Sequence, residues 1–589
     1  MVSLSKSELN FFNRFMTQMN KLNNNLQNPK TLIEKLAKDM PDSDGIYYKD
    51  HSWTWKAVND ECNKYANFFL NKGFKKNQSI GIMMKNCPEY LFLTTGINKI
   101  EGVSGLINYN QKRSALLHSI NIIEPKFLVI DGDNVKSVSE IADDLTLKND
   151  QIFVIRNYDE VSHDFVELPL KIKNIKSSNP SITTKIKSND PLYYIFTSGT
   201  TGLPKAIVMP LKKSVTQATF LATALCELNP NDVIYNMTPF YHNIAIGINW
   251  MASLLSGAIN VVKEGFSASS FWEDVIKYSV TYTSYVGEIP RYLLNQPSSK
   301  FEKEAKLEYM VGLGLRESVW KEFKRRFNVN HIYEYYGSTE GHRCFINIDG
   351  KPGMVGRNNF PGIVLAKVNP ETGEFYKNEK GYCVKCKNPG EVGMVLIKLD
   401  KGNFFAKYKD KKKTEKKLIK GAFRKGDLYF NSGDILMLHE DGWLSFYDRT
   451  GDTFRWKGEN VSTLELESIL NSHPAVSQST VFGISIPHTE GKAGMASIIL
   501  NPIIDFNIKE FSKYVYDVLP SYSIPIFIRI CEEFEHTGTF KIKKKTLEKQ
   551  SYDHEQIKDP LYFWDNSHKL YIPYNKKISE KLLSGKLKI

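Results

Sequence analysis

A chain of 589 residues, 41% hydrophobic and 12% aromatic, is too long for one core and too apolar for disorder, so two or more globular domains are expected. A net charge of +13 favours anionic partners such as nucleotide phosphates, coenzyme A or a membrane surface, and no zinc-finger, recognition-helix or RNA-platform pattern accompanies it, which argues against nucleic acid. Seven cysteines over this length make no disulfide scaffold, and an N-terminus carrying Lys6, Glu8 and Arg14 without an apolar run is not a secretory signal.

Phe12, Phe15, Met16, Met19 and Leu22 fall at helical spacing. They predict either an interfacial helix or one docked on its own domain, ended by Asn23-Asn24-Asn25. From Gly45 to about Phe240, strand-like runs at Ser79–Met84, Phe127–Ile130, Ile152–Ile155 and Tyr193–Phe196 alternate with helical stretches near 55–72, 88–100 and 113–122. That alternation predicts a mostly parallel sheet covered by helices. Asn243 to Val262 has no charge over twenty residues, the length of a membrane span, but its Asn and Ser content favours a buried helix. The alternation resumes with Asn260–Lys263, a helix near 269–278, Tyr282–Val286 and Tyr309–Gly312, so two α/β layers are expected. Residues 340–450 carry many Gly, Pro and short alternating runs, which predict twisted antiparallel strands. Within them, the single Cys383/Cys386 pair reads as a structural turn, and the charge run Lys407–Lys420 as a solvated surface segment. After Arg449 a smaller mixed α and β unit begins. The chain reads as soluble or peripherally bound to a membrane.

The densest chemistry lies in Tyr193-Tyr194-Ile-Phe-Thr197-Ser198-Gly199-Thr200-Thr201-Gly202-Leu-Pro-Lys205. An apolar run feeds a loop of hydroxyls and glycines, whose N–H and O–H groups can hold phosphate oxygens while Lys205 adds a point charge. Walker-loop spacing is excluded: two residues, not four, separate Gly199 from Gly202, and Ala206 rather than Ser or Thr follows the lysine.

This segment resembles the phosphate loop of the adenylate-forming enzymes, which include acyl-CoA synthetases. Further blocks follow in that family's order: Tyr335-Tyr336-Gly-Ser-Thr339-Glu340-Gly, Ser432-Gly-Asp434, Asp448-Arg449 through Val461, and Thr537-Gly-Thr-Phe-Lys541. By resemblance, Tyr194, Thr197, Ser198, Gly199, Thr200, Thr201, Gly202, Lys205 and Gly312 belong to the nucleotide site. Tyr336 stacks on the base, Thr339 contacts the α-phosphate and Glu340 binds Mg²⁺. Asp434 accepts from the ribose hydroxyls, backed by Arg449 fifteen residues on across an Asp441-Gly442 hairpin turn. Asp427, in a similar Gly-Asp pair, is structural. The pivot is Gly451 or Asp452, Gly458 lines the pantetheine passage, and Lys541 is the adenylation lysine. Lys541, Glu340, Thr200 and His242 make the catalytic set; His242 orients or gates the acyl group, or is a satisfied core histidine. Phe540 stands where the family has glycine.

The stretches 266–278, 287–297 and 448–463 narrow the resemblance to the fatty-acid transport proteins, also called very-long-chain acyl-CoA synthetases. The membrane-spanning N-terminal segment common in animal members is not seen. The resemblance implies a domain over 1–449, made of two α/β subdomains and a twisted β-barrel-like subdomain, and a small mobile α+β domain over 450–589. It implies ATP, Mg²⁺ and coenzyme A, a fatty-acid substrate, and location at the cytoplasmic side of membranes or in the cytoplasm. It leaves open an uptake or lipid-binding protein with little turnover, an acceptor other than coenzyme A, and the oligomeric state.

Overall fold

The computed structural model describes residues 4–24, 27–155, 165–182, 186–197, 204–341, 343–358, 362–369, 373–399, 406–449, 454–456, 459–461, 463–487, 489, 491–519, 521–536, 542–553, 556–584 and 587. The chain forms two compact units, one of residues 1–359 with 399–418 and one of 360–398 with 419–589. Position 450, where sequence reading places a domain start, falls inside the second unit.

The first unit holds two sheets. One runs, in spatial order, Val166–Glu167, Ile152–Val154, Phe127–Ile130, Ser79–Met83, Val103–Leu106, Pro191–Thr197 and Lys205–Pro210. Every pairing in it is parallel except the last. Phe127–Ile130 and Ser79–Met83 are buried at every position, as central strands with helices on both faces require. Among those helices, Trp55–Asn71 starts where the Thr54 hydroxyl accepts from the Ala57 N–H at 3.3 Å, and Pro88–Lys99 starts with proline at its first turn.

The second sheet has eight strands: Phe345–Asn347, Val329–Tyr336, Leu307–Leu313, Tyr282–Val286, Val233–Asn236, Ile259–Val262, Asp44–Tyr48 and His51–Thr54. Its centre is parallel and its two edge pairs antiparallel. The uncharged stretch from Asn243 is not one helix. Ile244–Trp250 is π-helical, Met251–Ser256 α-helical, and Gly257 at φ +78° turns the chain into the strand Ile259–Val262.

The N-terminal helix, Lys6–Asn24, docks on its own unit. Phe11 and Phe15 meet Phe220 edge-on at 4.8 and 5.0 Å, and Arg14 Nε and Gln18 Nε2 donate to the carbonyls of Ala224 and Thr223 at 3.0 and 3.2 Å. Among the described residues no helix is long and apolar enough to cross a membrane.

In the second unit, Ile363–Lys367, Val392–Lys398, Leu428–Leu438 and Trp443–Arg449 form an antiparallel meander with bulges, the twisted strands expected there. Cys386, buried, lies 3.4 Å from the Val392 carbonyl, and burial pushes its thiol up to about 11. A further five-stranded sheet, Val476–Ile484, Ala493–Leu500, Phe527–Ile530, Leu561–Asp565 and Leu570–Pro573, packs helices Thr463–Asn471 and Ile508–Val518 around Phe511, Val515 and Phe527.

Candidate functional site

The phosphate-loop segment is a β-hairpin. Pro191–Thr197 and Lys205–Pro210 pair antiparallel, with Tyr194 opposite Val208 and Thr197 opposite Lys205. The loop's two ends are thereby held across one strand pair at the end of a buried sheet, where open α/β sheets bind ligands. His118 Nε2 lies 3.0 Å from the Pro204 carbonyl and ties the exit of the loop to helix Arg113–Ile123. Ser198, Gly199, Thr200, Thr201 and Gly202 lie outside the described residues.

The outer edge of Lys205–Pro210 is covered by residues 406–409. Val208 N–H donates to the Lys407 carbonyl at 2.8 Å and Lys409 N–H to the Ala206 carbonyl at 2.9 Å, which puts Tyr408 opposite Ile207. Sequence reading takes this charge run as a solvated segment. Its lysine tips are largely exposed, but Tyr408 is buried at 5% and Thr414 at 8%. Pairing to a strand more than 190 residues earlier is invisible to local pattern. The one local signal is an aromatic inside a lysine run.

Tyr408 joins the loop to the second predicted block. Its hydroxyl donates to Glu340 Oε1 at 2.5 Å, and the Lys205 ammonium sits 5.6 Å from its ring centroid. Burial, then the adjacent Glu340 charge, holds the phenol well above its usual range. Glu340 follows the strand Val329–Tyr336, and a turn in which Gly341 N–H donates to Ser338 Oγ at 2.9 Å re-aims the chain. Lys213, buried in the helix after the hairpin, donates from Nζ to the Thr339 carbonyl. Burial pushes its ammonium down to about 7, with Glu340 opposing that shift. Lys205 is lowered as well, first by desolvation and then by Lys417, Lys413 and Lys416. Lys205, Thr339 and Glu340 are thus brought together, and Tyr408 and Lys213, which sequence reasoning missed, hold them.

Tyr194 lies under the Lys409 ammonium at 5.4 Å, and that lysine also pairs with Glu124 at 2.7 Å. Tyr336 is buried, 5.9 Å from the Phe345 ring. Gly312 sits in Leu307–Leu313 between Tyr285 and Glu334, and a Cβ there would overlap the Tyr285 carbonyl oxygen. Beside it Glu334 is fully enclosed: Tyr285 Oη donates to Oε2 at 2.6 Å, and the Gly314 and Leu315 N–H groups to Oε1. Burial pushes its carboxyl up to about 8 despite those three donors. His242 heads the π-helical segment, with its ring centroid 4.4 Å from that of Tyr241.

Asp434 and Arg449 belong to the second unit, where they face each other in strand register across the Leu438–Leu444 turn. That turn has Asp441 at φ +55° and Gly442 at φ +72°, the left-handed pair a tight hairpin needs. Asp434 is buried, and Gly433 before it sits at φ +83°. Asp427 accepts from the Phe423 and Arg424 N–H groups at 3.0 and 2.9 Å, a turn-stabilising contact. Trp456 pairs with Glu459 in a short hairpin. Gly451, Asp452, Gly458 and Lys541 lie outside the described residues.

A single carboxylate such as Glu340 fits magnesium, which takes few protein ligands and fills its shell with phosphate oxygens and waters. Lys205 beside Glu340 suits a polyanionic ligand, whose charge would offset the desolvation and the neighbouring lysines that lower this ammonium.

Residues 33–398 match the AMP-binding enzyme family, and residues 465–541 its C-terminal domain. The chain is 37% identical to long-chain fatty acid transport protein 6 of Mus musculus, over 95% of this chain and 91% of that one. It is 33% identical to the medium/long-chain-fatty-acid–CoA ligase FadD6 of Mycobacterium tuberculosis, over 94% of this chain and 91% of that one. In fold it is similar to the anthranilate CoA ligase AuaEII in complex with anthranoyl-AMP, with a TM-score of 0.76 at 21% identity over 89% of this chain and 97% of that one. It is also similar in fold to ATP-bound MatB from Rhodopseudomonas palustris, with a TM-score of 0.73 at 18% identity over 90% and 99%. The two α/β sheets, the antiparallel meander and the mixed C-terminal sheet are the layers that the sequence blocks imply, and the chain belongs to the AMP-binding enzyme family, in the group of the long-chain fatty acid transport proteins.

Proposed function

We propose that the protein is an ATP-dependent fatty acid–CoA ligase that works through an acyl-adenylate. The observation that carries this reading is the convergence of the hairpin lysine Lys205, Tyr408 and Glu340 in one unit, in a chain whose relatives include a fatty-acid–CoA ligase. In the first half-reaction a fatty-acid carboxylate oxygen bonds to the α-phosphorus of ATP as the bond to the β-phosphate oxygen breaks, releasing pyrophosphate. In the second, the coenzyme A sulfur bonds to the acyl carbon as the bond to AMP breaks, and the thiol proton leaves to solvent.

Both first-step reactants are anions, so the chain's own task is to hold and neutralise charge in a partly dry site. Lys205 and the loop 197–205 hold phosphate oxygens, Thr339 contacts the α-phosphate, and Glu340 carries the magnesium. Bound magnesium would screen the phosphates and stabilise departing pyrophosphate. Tyr336 stacks on adenine beside Gly312, and Asp434 takes the ribose hydroxyls with Arg449 behind it. Thr200 and Lys541 act on the transferring phosphoryl group, and His242 orients the acyl group. Gly458 lines the thiol's route, and Gly451 or Asp452 is the pivot of a mobile C-terminal domain. No side-chain nucleophile is required, and positioning supplies much of the rate.

Peripheral binding at a membrane would place the protein where its acid substrate partitions. Uptake would then follow from thioesterification, which traps the acid as a charged coenzyme A ester. The test is acyl-CoA formation by purified protein with ATP, Mg²⁺, coenzyme A and a series of medium to very long acids. Failure to exchange labelled pyrophosphate into ATP with any acid would reject the reading.

A further inference from the structure

Tyr408 touches both the hairpin lysine Lys205 and the carboxylate of Glu340, and its own placement is over-determined. Its backbone extends the edge of Lys205–Pro210. Its N–H donates to Thr414 Oγ1 at 3.1 Å, and the Thr414 hydroxyl lies 3.4 Å from its carbonyl and 3.3 Å from that of Asp410. Asp410 Oδ1 accepts from the Lys412 N–H at 2.9 Å and starts the short helix Lys411–Glu415 that carries Thr414. A lysine-rich surface turn is thus stapled at both ends, with one buried aromatic pointing from it to Glu340. A turn that only covered a strand edge would need no phenol hydroxyl there, since phenylalanine fills the same space.

We infer that Tyr408 is a positioning residue that fixes the Glu340 carboxylate for metal binding through its hydroxyl, and that the Asp410–Thr414 turn is the device that sets Tyr408. The inference rests on the reading of Glu340 as the magnesium residue. By donating to Oε1, Tyr408 restricts the rotamer freedom of a partly buried glutamate and leaves Oε2 for the ligand. Groups that orient metal ligands in this way carry about 10- to 100-fold in metal affinity.

The test uses the full chain with a non-hydrolysable ATP analogue and Mn²⁺, bound metal being read by electron paramagnetic resonance. Exchange of pyrophosphate into ATP is titrated with Mg²⁺ in parallel. Tyr408→Phe should weaken Mn²⁺ binding by about 10-fold or more and raise the Mg²⁺ needed for half-maximal exchange by a similar factor. Its kcat at saturating Mg²⁺ and its unfolding midpoint should stay close to wild type. Thr414→Val should show part of the same shift and Thr414→Ser should restore it, which keeps the inference testable if Tyr408→Phe folds poorly. A Tyr408→Phe protein with unchanged metal dependence, or one that loses kcat without any shift in metal dependence, overturns the inference. Glu340→Gln separates the two levels. If it binds Mn²⁺ as tightly as wild type, the reading of Glu340 itself fails. If it loses Mn²⁺ while Tyr408→Phe does not, only the positioning role fails.

Discussion

Asp434 stands directly opposite Arg449 on the neighbouring strands Leu428–Leu438 and Trp443–Arg449, two residues fifteen apart in sequence brought into register by the Asp441–Gly442 turn. Asp434 is buried, its N–H donates to Ser432 Oγ at 3.0 Å, and Ser432 in turn donates to the Val395 carbonyl at 3.0 Å, so the carboxylate is mounted on a fixed backbone. If it takes the ribose hydroxyls, Asp434→Ala should raise the KM for ATP by about 10- to 100-fold, the worth of hydrogen bonds to a charged group. Initial rates against ATP concentration decide this; an unchanged KM in a folded variant would assign Asp434 to structure alone.

The contrast between Asp434 and Tyr408 shows what sequence can and cannot carry. The Asp434–Arg449 relationship is local: two strands, a Gly-containing turn and a fixed spacing announce a hairpin. Buried strands such as Phe127–Ile130 and Tyr282–Val286 announce themselves too, as short apolar runs between turns. Tyr408 and Lys213 do not. Each acquires its role only when strands far apart in sequence pair and a side chain is buried against that alternation. Lys213 sits in the segment Leu211-Lys-Lys-Ser, where nothing local says which lysine turns inward. The stretch from Asn243 is a buried helical run through Ser256, as its composition implies, but lack of charge does not say where the helix ends, and Gly257 is the break before the strand Ile259–Val262.

Gly312 and Gly287 mark where backbone meets backbone beside the Glu334 pocket. A Cβ at Gly312 would lie 2.5 Å from the Tyr285 ring, besides overlapping its carbonyl, and one at Gly287 would overlap the Gly314 carbonyl. Neither neighbour is the free end of a flexible side chain. Each glycine-to-alanine change should cost about 1–3 kcal/mol, the usual range for overpacking. Denaturant unfolding measures it, and stability equal to wild type would show that the sheet yields there at no cost.

Two buried groups in the first unit give stability opposite dependences on pH. Glu334 goes from an ordinary 4.5 to about 8 on folding, so between those values the folded chain holds a proton the unfolded chain has lost, and stability falls as pH rises. Lys213 goes from 10.5 down to about 7, so between 7 and 10.5 the unfolded chain holds the extra proton, and stability rises with pH. Glu334→Gln should flatten the fall across the lower window, since the amide can still accept from the Gly314 and Leu315 N–H groups. Lys213→Met should flatten the rise across the upper one. Unfolding free energies at closely spaced pH values check both, and a variant whose slope matches wild type in its window refutes the corresponding assignment.

The proposed two-step chemistry draws on different residues for each half-reaction, and this separates a ligase from a lipid-binding protein. If Lys541 is the cation on the transferring phosphoryl group, it is needed while the O–P bond forms and idle once the adenylate exists. Lys541→Ala should therefore lose pyrophosphate exchange by about 10²- to 10³-fold, the scale for removing one preorganised stabilising group, yet convert supplied acyl-adenylate to acyl-CoA near the wild-type rate. Gly458→Trp should do the reverse, because an indole in the thiol's route leaves adenylation untouched and blocks the sulfur. Measured side by side, the two variants should fail in complementary assays. Equal loss of both half-reactions in each would contradict the division of labour. Undiminished fatty-acid uptake by cells carrying Lys541→Ala would show that uptake does not depend on ligation at all.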